Sequence, residues 1–248
     1  MNKPWDLKKS DERVIDNVYS FLIFCEDETS EVEYLTWFET NLIKINVVPK
    51  QRSMTTNVIK AITHCKTHGI IDEFNGVVDG YEVWCVYDRD KYEINQLEDN
   101  TAFDIAHQVA ELHKINLAWS NDSFELWILL HLFEVDFTNR EYFKREKYYD
   151  ILTDYFKNHL NPNERLVKVL SHHTYNYKKD LKRRKNFIEI VLKEILPNTN
   201  IAIDRAKKLL DVFQQSGNTT YNSWIPCTLM HLLVIRLLTE GKKPIPLN

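Results

Sequence analysis

The sequence predicts an α/β fold: a parallel sheet flanked by helices, with a mainly helical C-terminal half. Three observations carry this reading. Two apolar runs, Val18 to Cys25 and Tyr81 to Tyr87, stop abruptly in acids, at Glu26-Asp27-Glu28 and at Asp88-Arg89-Asp90. Short apolar runs bounded in this way read as buried strands. Helix-period segments lie between the runs, and strand, helix, strand repeated is the pattern of a parallel sheet with right-handed crossovers. Only 5 Gly and 7 Pro occur in 248 residues, too few for a turn-rich β fold, while 44% hydrophobic content can fill a sizeable core.

Residues 1 to 17 read as a polar lead-in. After the strand at Val18 to Cys25, Thr29 or Ser30 caps a helix to about Asn41, with Val32, Leu35, Trp37, Phe38 and Leu42 as its apolar contacts. Ile45 to Val48, stopped by Pro49, makes a second strand. Ser53 or Thr55 caps the next helix, through Ile59, Ile62 and Cys65, and Gly69 ends it. Residues 70 to 80 connect to the strand at Glu82 to Tyr87, and a helix from about Thr101 to His113 follows. Asn116 to Trp119 makes a short strand that ends in Ser120-Asn121-Asp122-Ser123, and an apolar helix carries Phe124 to Leu132. Beyond Asn139 the pattern is helical throughout: Tyr142 to Leu160, Glu164 to Leu170, Lys178 to Leu196, Ile201 to Gln214 and Cys227 to Thr239. The expected division is a catalytic part over residues 1–136 and a helical part over 137–248.

The formal charge of -4 rules out a uniformly basic surface, so contact with nucleic acid requires a local patch. No signal-like segment and no run of about eighteen apolar residues occurs, so a cytoplasmic protein without membrane attachment is expected. Cys25, Cys65, Cys85 and Cys227 form no CxxC pair, which argues against disulfides and structural zinc.

The chemistry concentrates at the strand ends. In an open α/β sheet the carboxyl edge is where ligands bind. Asp88 and Asp90, two apart on an extended segment, point the same way, and Glu26 ends a second strand. Three acids converging there repel one another unless a divalent cation is shared, and oxygen donors of this kind suit Mg²⁺ or Mn²⁺. The plainer account is that Asp favours strand ends and turns, and that Glu26, Asp27, Glu28 and Glu31 serve the positive end of a helix. Glu125 sits one turn into a helix, as a further ligand or a substrate-positioning group. Asn121 or Ser123 reads as an ordinary N-cap, and Trp127 and His131 read as packing. The run Lys178-Lys179-Asp180-Leu181-Lys182-Arg183-Arg184-Lys185, with Tyr175 and Tyr177 beside it, suits contact with a phosphate backbone. A solvated helix face explains it equally well.

Strand, Glu26, helix, strand and Asp88-x-Asp90 together resemble the Toprim domain of topoisomerases, primases and overcoming-lysogenization-defect nucleases. FCEDETSEVEY, VWCVYDRD and AWSNDSFELWILLH are more closely similar to the RloB family of bacterial Toprim proteins, in the group that includes abortive-infection and phage-resistance proteins. The resemblance covers residues 18 to 134 well and continues loosely through Tyr175, Lys178 and Lys179. It equates Glu26, Glu31, Tyr34, Asp88 and Asp90 with family positions, and Asn121, Phe124, Glu125 and Trp127 with an S-N-x-x-F-E-x-W signature. Asp27 departs from a usual Gly, either tightening the turn or adding a ligand, and Thr29 replaces a common basic residue. The resemblance implies a metal-dependent nuclease acting on DNA or RNA, tRNA included, with Glu26, Asp88, Asp90 and Glu31 at the metal. Asn121, Glu125, Tyr175, Lys178, Lys179, Lys182, Arg183 and Arg184 are the expected substrate contacts. It further implies an ABC or AAA-like ATPase partner, with self-association left open. A catalytically inactive Toprim binding or sensor subunit is the alternative. Haloacid-dehalogenase phosphatases fit less well, because Lys91-Tyr92 follows Asp90 where Gly-Thr is usual, and a D-x-D sugar transferase leaves Glu26 unexplained.

Overall fold

A computed structural model describes residues 18–52, 54–72, 76–89, 97–217 and 220–246. The expected lead-in, the capping residue Ser53 and the expected ligand Asp90 lie outside the described residues. In chain order, β1 (Tyr19–Cys25) leads through α1 (Ser30–Thr36) to β2 (Ile43–Val48) and α2 (Met54–Thr67). A small antiparallel pair, β3 (Ile71–Asp72) and β4 (Gly76–Val77), precedes β5 (Tyr81–Val86). Then come α3 (Leu97–Leu112), β6 (Asn116–Leu117), β7 (Ser120–Asn121) and α4 (Glu125–Leu132). The remainder holds α5 (Arg145–Lys157), α6 (Glu164–Leu170), a π-helical turn at Tyr177–Leu181 and α7 (Arg184–Asn186). A π-helical stretch at Phe187–Leu192 continues into α8 (Lys193–Ile195), and α9 (Thr199–Gln215), β8 (Cys227–Thr228) and α10 (Met230–Gly241) follow.

The main sheet is parallel, with strand order β2-β1-β5-β6, so β1 and β5 lie at its centre. Side chains alternate across a strand, and β1 shows this directly. Phe21, Ile23 and Cys25 face one core with α1, α4 and the C-terminal helices; Leu22 and Phe24 face a second with α2 and α3. Both faces are therefore covered, as a parallel sheet requires. The helical C-terminal half supplies much of the first core, through Phe156, Tyr177, Phe187, Val191, Leu233 and Leu237.

Several boundaries differ from the expected ones. α1 stops at Thr36, ahead of Asn41, and the connection over residues 70 to 80 contains the β3 and β4 pair. The helix expected from Cys227 begins at Met230, because Cys227 and Thr228 pair antiparallel with Asn121 and Ser120. Two residues carry no legible period, but the buried backbone groups of β7 need partners and a passing segment supplies them. The helix expected over Lys178 to Leu196 is interrupted between Leu181 and Arg184, where Lys182 and Arg183 lie outside helical structure.

Candidate functional site

Three chain segments end together at the carboxyl edge of the sheet. Register places Cys25 beside Val86, and the Glu26 N–H donates to the Val86 carbonyl at 3.1 Å. The Glu26 carboxylate in turn accepts the Asp88 N–H at 3.1 Å. Asp88 bridges to Ser120, whose N–H reaches Tyr87 O at 3.1 Å, so β7 extends the β6 side of the sheet to the same edge. Asn57, fully buried on α2, donates to Phe24 O (3.3 Å) and Val86 O (3.2 Å) and so pins the ends of both central strands.

The turn from β1 to α1 is organised by Asp27. Its carboxylate accepts the N–H groups of Glu28 (2.6 Å), Thr29 (3.2 Å) and Ser30 (3.0 Å), while the side chain of Thr29 makes no cap bond. Asp27 thereby satisfies donors that a helix start leaves unpaired. Its own N–H donates to Glu31 Oε2 at 3.1 Å, which points the buried Glu31 back toward the strand ends.

Glu26, Glu31 and Glu125 stand near enough to Asp88 to perturb it, and Glu26 also perturbs Glu31. Burial, then the charges of Glu31, Glu125 and Glu26, push Asp88 well above the ordinary Asp range, and Arg145 opposes this. Glu31 is raised first by burial and then by Asp27 and Glu26, against the Asp27 N–H bond and Lys182. Glu125 is 0% exposed. Asp88 Oδ1 and Glu125 Oε2 are shut off from solvent without a hydrogen-bond partner. Such groups are costly to bury alone.

Two cations stand near these acids. Arg145 clamps Asp122, with Nε on Oδ2 (3.1 Å) and Nη2 on Oδ1 (2.9 Å), and its N–H also donates to Oδ2. Lys182 enters from the basic run, its Nζ 2.7 Å from Glu125 Oε1, with its side chain 30% exposed. Burial alone would lower the pKa of Lys182, yet Glu125, Tyr149 and Asp27 outweigh it and the net shift is upward.

The expected substrate contacts scatter in role. Asn121 is buried, its amide donating to Trp224 O at 2.9 Å, and it ties β7 to the segment before β8. Lys178 lies over the Tyr149 ring (5.1 Å), and Lys179 is exposed. Arg183 donates to Lys179 O, and Arg184 pairs with Glu33 of α1. The Tyr175 hydroxyl is buried without a hydrogen-bond partner. Thus the basic run does not form one solvated face; Arg184 and Lys182 fasten it against the acidic edge. Trp127 and His131 are core, as expected: His131 bonds the Tyr34 hydroxyl (3.1 Å), and burial pushes its pKa down to about 3.

Asn57, Arg145 and the capping role of Asp27 were not assigned from the sequence. Asn57 did leave a signal, a polar residue on the face of α2 that otherwise buries Met54, Val58, Ala61 and Cys65. Arg145 left none, because its partner Asp122 is 23 residues away.

The donor chemistry fits a hard divalent cation: oxygen ligands only, drawn from β1, β5 and α4, with two buried oxygens lacking partners. As they stand, no group of three acidic, histidine or cysteine side chains among the described residues is arranged to hold one ion. No described helix is long and apolar enough to cross a membrane.

The fold and site define an α/β protein with an acidic centre at the carboxyl edge of a four-stranded parallel sheet. The RloB-like protein family matches residues 21–237, most of the chain, and the chain belongs to that family. No curated protein and no solved structure matches it.

Proposed function

We propose that this chain is a Mg²⁺- or Mn²⁺-dependent nuclease of the Toprim type. It hydrolyses phosphodiester bonds in DNA or RNA, acting in defence against phage with an ABC or AAA-like ATPase. The observation that carries this reading is the convergence of carboxylates from β1, β5 and α4, two of their oxygens buried and unpartnered. Membership of the RloB-like family supports it.

Glu26, Glu31, Asp88 and Asp90 would hold the ion, with Glu125 as a further ligand. When bound, it would supply positive charge to the scissile phosphate and an acidified water as nucleophile. Asp27 orients Glu31 through its N–H, and Asn57 fixes the two strand ends that set the separation of Glu26 from Asp88. Lys178, Lys179 and Arg183 are exposed and close in the chain to Lys182, and there they would meet the phosphate backbone.

The pairing of Lys182 with Glu125 favours a second reading, a binding subunit whose acids are already part neutralised. The deciding experiment incubates the purified chain, with and without its ATPase, with plasmid, single-stranded DNA and total tRNA in Mg²⁺ or Mn²⁺. Cleavage that is lost in Asp88→Asn supports the nuclease. No cleavage of any substrate with the ATPase present overturns it in favour of the binding subunit.

A further inference from the structure

We infer that Lys182 is the built-in counter-cation of the acidic centre, and that its ammonium group and a divalent ion compete for Glu125. This rests on the metal-dependent reading above.

Geometry carries the inference. Glu125 is 0% exposed, and the Lys182 ammonium touches it, 2.7 Å from Oε1. Arg145 cannot take that place without leaving Asp122, to which it donates through Nε, Nη2 and its backbone N–H. Glu125 also raises the proton affinity of Asp88, so it faces the same centre as the strand-end acids. A cation serving Glu125 therefore screens Asp88, and removing that cation strands charge in a dry place.

Lys182 is also placed to leave. It lies between the π-helical turn ending at Leu181 and α7 starting at Arg184, in the interior of neither, and its side chain is 30% exposed, so the ammonium has a way out to solvent. Its four-carbon stem is flexible and its ammonium needs no fixed fork of partners. Lys178 and Lys179, on the preceding turn, and Arg183, beside it, are exposed. A phosphate backbone lying across them offers Lys182 a second anion. Polyanion binding and metal uptake then favour each other, reciprocally, because coupling between two ligands is symmetric.

The test measures Mn²⁺ affinity of the full chain from the EPR signal of the free ion, without nucleic acid. The proteins are wild type, Asp88→Asn, Lys182→Met and Lys182→Met/Glu125→Gln. Lys182→Met is expected to bind Mn²⁺ about tenfold more tightly than wild type, within the usual range of coupling between sites, and Glu125→Gln is expected to remove the gain. Equal affinity in wild type and Lys182→Met, with binding lost in Asp88→Asn, overturns the competition and leaves the nuclease reading standing. Absence of Mn²⁺ binding in every protein overturns both. Should Lys182→Met fail to fold, the wild type decides through amine acetylation read by mass spectrometry. Saturating Mn²⁺ is expected to raise labelling of Lys182 relative to Lys179, and an unchanged ratio overturns the inference.

Discussion

Burial and its neighbours push Asp88 in the same direction, toward the protonated form, and Glu31 shares that fate. In the metal-free protein both therefore hold protons that the unfolded chain gives up near 3.8 and 4.5. The folded state binds more protons than the unfolded state above those values, so stability falls as pH rises, until the raised folded pKa values are passed. Asp88→Asn removes one member of the repelling set. In a chelator it is expected to raise stability at neutral pH by on the order of 1 kcal/mol and to flatten the decline, as thermal melts at a series of pH values would show. A wild-type melting temperature that climbs from pH 5 to 8 while Asp88→Asn tracks it would contradict this. The strand-end acids were legible because an abrupt change from apolar to acidic marks a carboxyl edge. Lys182 was legible only as one of several basic residues; its inward turn depends on Glu125, which is 57 positions away in the chain.

At the scale of elements, the turn between β1 and α1 was expected to start from Thr29 or Ser30. The structure gives the cap to Asp27, whose carboxylate collects three N–H groups. Asp27→Ala is expected to cost about 1 kcal/mol, the usual worth of such a cap, measured by urea unfolding. A loss below a few tenths would show that the cap is dispensable. Asn57 joins α2 to the ends of β1 and β5, and Asn57→Leu leaves two carbonyls without that donor. The expected penalty is about 1–3 kcal/mol, with slower amide exchange surviving in α3 but not at the strand ends. The long strands and helices were readable from periodicity. β8 was not, because two residues hold no period and its partner is fixed only by tertiary approach.

Across the whole molecule, the first core mixes β1 and α4 with α5, α8, α9 and α10. α10 closes on the far edge of the sheet, where the Thr40 hydroxyl donates to Gly241 O at 3.1 Å. A Cβ at Gly241 would lie 2.9 Å from Ile43 Cδ1 and 3.2 Å from Ile43 Cγ1, inside a buried contact. Gly241→Val is expected to destabilise the entire chain by about 1–3 kcal/mol through overpacking, with one cooperative transition seen by both circular dichroism and tryptophan fluorescence. Two separated transitions would mean that the helical half melts by itself. This coupling was hidden from the sequence because nothing local to α10 announces β2 as its neighbour.

The antiparallel pair of β7 and β8 has a consequence during synthesis. Ser120 bonds Thr228 and Asn121 bonds Trp224, so the short stretch that launches Glu125 is held by residues made 108 and 103 positions later. A ribosome that halts before codon 224 leaves a polypeptide bearing Glu26, Asp88 and Glu125 without the β8 clasp on the stretch before the third of them. Glu125 is thereby fastened beside Glu26 and Asp88 only after residues 224–228 have emerged, more than a hundred positions after the stretch that launches it.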